Sequence, residues 1–370
     1  MRVFVTGATG FIGSAIVQEL ISAGHEVLGL ARSDAAAKSL SLAGAKVHRG
    51  ELQDLDSLRA GAGAADGVIH TGFNHDFSKF KENCENERKS VEALGSALVG
   101  SDRPFIITSG IGLLPPGRLA TEQTMPASPN ANPRVASEEA ARAMADRGVR
   151  VSIVRLPPSV HGDGDHGFVP IVINITRQKG ASAYIGEGLN RWPAVHRLDA
   201  AHLFRLALDK GAAWACYHGV AEEGVAFRQI ADVIGRRLNV PVISKTPEEA
   251  AHHFAWFAHF AAIDVPASSK QTQQNLGWRP TQPGLIADLD RPTYFEAIPK
   301  GASELARQLK DPKQNGGKTL EGIIKHVSDD RLVRQSGWSP VEGKPKPPLT
   351  HEEFTARMRE WVETGAAVPE

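Results

Sequence analysis

The chain is short of cysteine, tyrosine and net charge. Its two cysteines, Cys84 and Cys216, cannot build a disulfide framework, and their scarcity fits a reducing, cytoplasmic setting. Forty-two Lys+Arg offset forty-two Asp+Glu, so no electrostatic pull toward nucleic acid or an anionic membrane is expected. No window approaches the roughly 18 uninterrupted apolar residues of a membrane span. Met1 to Gly7 lacks the apolar core and cleavage site of a signal peptide and reads as the start of a strand. The tyrosines are Tyr184, Tyr217 and Tyr294, none with a lysine four residues on, and no lysine falls between Lys89 and Lys179.

What is present is an ordinary globular composition, 41% hydrophobic and 23% charged over 370 residues, which excludes disorder as the main state. Over residues 1–155, short apolar runs alternate with helical patterns. Strands are expected at 3–5, 26–30, 46–48, 67–70, 104–108 and 149–154, with helices at about 11–23, 34–43, 54–62, 79–100 and 134–147. Such alternation implies an α/β fold, a Rossmann-type doubly wound parallel sheet. Beyond Leu156-Pro157-Pro158 the pattern loosens into a smaller substrate lobe, 156–298. An appended segment, 299–370, ends in a helical pattern whose Phe354, Met358 and Trp361 share one face.

Thr6-Gly7-Ala8-Thr9-Gly10-Phe11-Ile12-Gly13 follows the first strand and opens the first helix. Gly7 permits the tight turn, Gly10 lets a pyrophosphate approach the backbone, and Gly13 lets the helix pack closely. Thr9, Phe11 and Ile12 complete the turn, whose helix N-terminus offers N–H groups to phosphate. The second strand ends at Ala31-Arg32-Ser33 with no carboxylate to take ribose hydroxyls. A guanidinium suits a 2′-phosphate, so NADP is expected in preference to NAD, with Arg32 and Ser33 at that end. Glu51 and Leu52 follow the third strand, a place where adenine is usually held, and are expected at that end of the cofactor.

These residues, together with Val68-Ile69-His70, Thr108-Ser109, Val154 to Gly162 and Val195 to Ala201, resemble the extended short-chain dehydrogenase/reductases, in the branch labelled NAD-dependent epimerase/dehydratase. The resemblance covers about residues 1–295. It implies a Ser or Thr at the end of the fifth strand, matched by Ser109, and a Tyr-x-x-x-Lys pair on the next helix, where the Tyr handles the substrate hydroxyl proton. That pair is missing: Arg134 stands at the Tyr position and Glu138 at the Lys position. An arginine cannot relay a proton, but it can stabilise an oxyanion. The plainer alternative is an i,i+4 salt bridge between the two on a helix face.

Either His75 or His161, on loops after strands, could replace the missing proton donor. His161, Asp163, Asp165 and His166 match no zinc signature, so no metal is expected. The apolar helix 251–260 could line a substrate pocket or form a homodimer surface; core packing of the small lobe is the plainer alternative. The expectation is an NADP-linked oxidoreductase acting on a small carbonyl or alcohol, with Ser109, Arg134, Glu138 and a histidine at the site. The alternatives are a dinucleotide-binding protein without turnover and a nucleotide-sugar epimerase or dehydratase.

Overall fold

Seven parallel strands form the central sheet: β1 (Arg2–Thr6), β2 (Glu26–Ala31), β3 (Lys46–Arg49), β4 (Gly67–His70), β5 (Phe105–Gly110), β6 (Val151–Leu156) and, from far downstream, β10 (Cys216–His218), in the order β10-β6-β5-β4-β1-β2-β3. This computed structural model describes residues 1–126, 128 and 132–295. The appended segment expected from 299 lies outside the described residues.

Alternation along the strands feeds two cores. In β1, Val3 and Val5 face one side and Phe4 the other. The first side is covered by α1 (Phe11–Ser22), α2 (Asp34–Leu42) and α7 (Arg197–Lys210), through Ile16, Leu20, Leu40, Leu203 and Phe204. The second is covered by α3 (Leu55–Gly63), α4 (Phe80–Ser96) and α5 (Ala136–Asp146), through Leu58, Val91, Leu94 and Ala141. Order reverses between β1 and β4, which is where open α/β sheets hold ligands, beyond the carboxyl ends of the strands.

After β6, Pro157 and Pro158 break the run, and the chain builds two small sheets. One joins β7 (Ser159–His161) in parallel to β9 (Arg191–His196), which pairs antiparallel with β11 (Glu222–Ala226). The other pairs β8 (Ser182–Ile185) with β12 (Val242–Lys245). The helices here are α6 (Phe168–Lys179), α8 (Phe227–Leu238), α9 (Pro247–Phe254), α10 (Ala258–Ala261), α11 (Lys270–Leu276) and α12 (Leu285–Leu289). The loosened pattern after 155 therefore conceals a return to the large sheet through α7 and β10. At three residues, β10 is too short to leave a periodic signature. Phe254 and Phe257, in the apolar stretch 251–260, are buried with Trp192 and Phe227, so part of that stretch is core.

Candidate active site

The turn after β1 is shaped for a close-approaching group. Gly7 lies in the left-handed region at φ 66°, and a Cβ on it would come 2.8 Å from the Gly72 nitrogen. A Cβ on Gly13 would meet the Gly7 carbonyl oxygen at 2.0 Å, so α1 seats directly on the turn. A Cβ on Gly10 would meet only that same oxygen, at 3.1 Å, so the backbone is otherwise open there. Thr9 and Gly10 are exposed and Phe11 and Ile12 half-buried, beside the unpaired N–H groups of the first helical turn. Arg197 stacks 4.7 Å over the Phe11 ring and donates to Ser14 Oγ at 3.1 Å and the Asp163 carbonyl at 2.8 Å. His166 meets Phe11 edge-on. The residues present thus fit a dinucleotide: a glycine cradle that a Cβ would fill, at a helix N-terminus.

At the far end, Arg32 is exposed and makes no hydrogen bond or ion pair among the described residues. Ser33 accepts from the Ala36 N–H at 3.2 Å and so caps α2. Asp34 is ion-paired with Arg49. Glu51 is exposed; Leu52 is half-buried against Gly72.

The Arg134–Glu138 salt bridge does not form. Arg134 lies in a 3-10 turn, Pro133–Val135, that precedes α5, and its N–H donates to Asn132 Oδ1 at 3.0 Å. The two side chains consequently do not share a helical face, and each has its own partner. Arg134 Nη2 lies 3.2 Å from Glu87 Oε1 on α4 and 3.5 Å from the Thr108 carbonyl, Nη1 donates to Ser137 Oγ at 2.8 Å, and the guanidinium sits 4.3 Å over the Phe73 ring. Glu138 instead forms a two-pronged pair with Arg155 of β6, both contacts 2.8 Å. Ser109 donates to Glu138 Oε1 at 2.5 Å, and all three of these side chains are buried.

Glu87 connects the two ends of the cleft. Its Oε2 is 3.3 Å from His70 Nε2, and His70 Nδ1 is 2.6 Å from Thr6 Oγ1, the residue before the glycine turn. Burial opposes the charge of Glu87, but Arg134 and His70 outweigh it and hold its pKa below the ordinary value. His75 stands on the exposed rim, edge-on to Phe73. Partial desolvation, then the charges of Arg134 and His166, lower its pKa. His161 is buried and lies apart from this group: its Nδ1 is 2.8 Å from Asp288 Oδ2 and its ring meets His196 edge-on. Both cysteine thiols are pushed up by burial, Cys84 to about 11 and Cys216 to about 12, which leaves them unreactive.

Sequence reasoning missed Glu87, Arg155 and Asp288. Arg155 carried a signal: a charge inside an otherwise apolar strand needs a buried partner. Glu87 was masked by the charged run of α4, and Asp288 had no local signature.

The description of the NAD dependent epimerase/dehydratase family matches residues 3–217. The chain belongs to that family. An uncharacterized protein of Schizosaccharomyces pombe is 52% identical over 296 residues, 80% of this chain and 100% of that one. The decarboxylating sterol-4-alpha-carboxylate 3-dehydrogenase of Dictyostelium discoideum is 27% identical over 244 residues, 62% of this chain and 74% of that one. The dTDP-glucose 4,6-dehydratase of Streptomyces venezuelae, solved with NAD and TYD bound, superposes with a TM-score of 0.64 at 21% identity, covering 80% of this chain and 97% of that one. That last likeness is one of fold: the epimerase/dehydratase family's Rossmann-type sheet. Among the described residues no helix is long and apolar enough to cross a membrane.

Proposed function

We propose that the chain is an NADP-linked oxidoreductase that interconverts a small carbonyl compound and its alcohol. The observation that carries this is Arg134: a guanidinium fixed by Glu87, Ser137 and Phe73 beside the carboxyl ends of β4 and β5. Family membership and the sterol dehydrogenase relative support a redox reaction, and an unpaired Arg32 at the end of β2 supports NADP.

Gly7, Thr9, Gly10, Phe11, Ile12 and Gly13 would hold the pyrophosphate, Arg32 and Ser33 the ribose phosphate, and Glu51 and Leu52 the adenine end. The bound dinucleotide supplies or accepts hydride. Arg134 bears the negative charge that develops on the carbonyl oxygen, as a fixed and preorganised donor. Its ion pair with Glu87 keeps it in place without a lysine. Ser109 already donates its proton to Glu138, so its part and that of Glu138 is to brace β5 against α5. His75 moves the proton. With its pKa lowered, it is set to accept one in the alcohol-to-carbonyl direction and to return one as pH falls.

The test is a titration of NADPH and NADH followed by turnover with a panel of aldehydes and ketones. Tight NADPH binding with no turnover of any carbonyl would point instead to a dinucleotide-binding protein without catalysis. Conversion of a nucleotide sugar would point to an epimerase or dehydratase.

A further inference from the structure

The loop from Gly162 to Gly167 flanks the cofactor turn. His166 sets its ring edge-on to Phe11, 5.6 Å between centroids. Arg197 donates to the Asp163 carbonyl at 2.8 Å and, from the same guanidinium, to Ser14 Oγ at 3.1 Å. Phe11 and Ser14 begin α1, where the free N–H groups lie. Movement of this loop is movement of a wall of the dinucleotide site.

The loop is tied down from far along the chain, by the strap that runs from Asp288 to Tyr294. Tyr294 Oη accepts from the Gly162 N–H at 3.1 Å and donates toward Asp165 Oδ2 at 3.2 Å, with Asp288 Oδ2 3.4 Å away. Arg291 donates to Asp163 Oδ1 at 2.7 Å and pairs with Asp288. Asp288 Oδ2 is 2.8 Å from His161 Nδ1, on the residue before the loop. Gly162 and Gly164, at φ 130° and 84°, take a backbone that glycine adopts without preference, so contacts hold this shape.

At the centre of these contacts the proton count is short by one. Tyr294 has a single hydroxyl proton, and two carboxylates, Asp165 and Asp288, lie within its reach. With Asp165 protonated, its O–H can donate to Tyr294 Oη while Tyr294 donates to Asp288. Burial pushes the Asp165 carboxyl up to about 6, against the bonds from Gly167 and Tyr294 and the charges of His166 and His161. The Tyr294 hydroxyl is raised too, by burial and by Asp165, and stays a donor. The other ionisable groups around the strap are Asp163 on the loop, Asp288 and Arg291 on the strap itself, His196 against His161, and Arg197. Arg291 is engaged by Asp163 and Asp288, and Asp165 has no ion pair among the described residues.

We propose that Asp288, Arg291 and Tyr294 form a latch on the 162–167 loop, that Asp165 is its proton switch, and that opening of the latch sets the rate at which the dinucleotide leaves the glycine turn. A carboxyl whose pKa is raised in the latched state favours that state when protonated. The latch is tightest in acid and loosens as pH rises through about 6. This depends on a dinucleotide at the glycine turn and not on the redox reaction.

Stopped-flow displacement of NADPH from the full-length protein, mixed to final pH values between 5 and 8, tests the latch. The release rate should rise about tenfold from pH 5 to pH 7 and then level off, as a shift from 3.8 to about 6 requires. Asp165→Asn keeps an N–H where the protonated acid has its O–H, and should release slowly at every pH. Tyr294→Phe should release at or above the wild-type pH 7 rate throughout. In that variant the Gly162 amide of the ligand-free protein should also exchange faster with deuterium, after correction for the intrinsic pH dependence. A brace without gating would lower the melting temperature of Tyr294→Phe and leave the release rate unmoved, which would overturn the latch. A pH-independent rate in the wild type would overturn it too, as would wild-type pH dependence kept in Asp165→Asn. If NADPH binds at no pH, the cofactor reading fails and hydrogen exchange decides the latch alone. Gly162 protection that is lost in Tyr294→Phe upholds it, and exchange indifferent to both pH and variant overturns it.

Discussion

Glu87 and Arg134 meet 3.2 Å apart beneath the Phe73 ring, one from the middle of α4 and the other from the turn that leads into α5. The Arg134 charge is held here by tertiary contact, where a Tyr-x-x-x-Lys pair would be held by the spacing of one helix.

Arg134→Ala should lower turnover about a hundredfold to a thousandfold while leaving NADPH affinity nearly unchanged, since loss of one charge-stabilising donor removes about 3–4 kcal/mol of transition-state binding. Arg134→Lys should recover only part, because an ammonium lacks the planar fork that reaches Glu87 through Nη2 and Ser137 through Nη1 together. Steady-state kinetics beside a cofactor titration measures both. Equal losses in cofactor binding and turnover would assign Arg134 to the structure of the cleft.

Glu87→Gln should destabilise the fold by about 3–5 kcal/mol, because Arg134 keeps its charge and loses its buried partner. The pH dependence fixes the sign. The folded-state pKa of Glu87 is depressed from its ordinary 4.5, so its contribution is complete above about that pH and is lost as pH falls through the folded value. The gap between wild type and variant in urea melts should therefore narrow below pH 4.5 and stay constant above it. A gap that widens in acid would contradict the pairing.

What could be read from the sequence was local. The glycine turn is legible because Gly7, Gly10 and Gly13 act within seven residues, and strands β1, β2, β4, β5 and β6 because each carries an apolar run between turn residues; β3, Lys46–Arg49, has only Val47. Partner choice was not legible. Arg134 lies 47 residues from Glu87, Glu138 lies 17 from Arg155, and His161 lies 127 from Asp288. Spacing four apart suggested that Arg134 and Glu138 pair; the 3-10 turn at Pro133 rotates them apart, and no periodicity encodes that. The return of Cys216–His218 to the large sheet was hidden for a related reason, since a three-residue strand is defined by its neighbours.

Arg32→Ala should weaken NADPH about tenfold or more and leave NADH within about twofold, because a charge-assisted contact to the 2′-phosphate is lost and nothing equivalent exists in NADH. Arg49 lies close by but is engaged with Asp34, so Asp34→Asn should free it and tighten NADPH modestly. Fluorescence titration of both cofactors gives the ratio. Indifference of that ratio to both changes would remove the basis for an NADP preference.

The pH–rate profile should report His75. Its pKa lies below the ordinary 6.5, so alcohol oxidation should rise with pH through that lower value and be flat from about 6.5 upward, while carbonyl reduction falls over the same range. His75→Ala should flatten both limbs. Profiles that keep their shape in the variant would place the proton on another group or on water.

Ser109 decides between a catalytic and a bracing role for the end of β5. Its hydroxyl donates to Glu138 at 2.5 Å, inside a buried group that Arg155 completes. A bracing role predicts that Ser109→Ala lowers stability by about 1.5–3 kcal/mol, the value of a hydrogen bond to a charged group, and lowers turnover by less than about threefold. Glu138→Gln should destabilise more, about 3–5 kcal/mol, because it strands the buried Arg155 charge. In the double variant the two losses should fall short of their sum, since one shared contact is counted in each. Chemical denaturation of the four proteins, with turnover measured on the same samples, separates the roles. A hundredfold loss of turnover in Ser109→Ala with stability intact would return Ser109 to the substrate oxygen and require its proton to leave Glu138 when substrate binds.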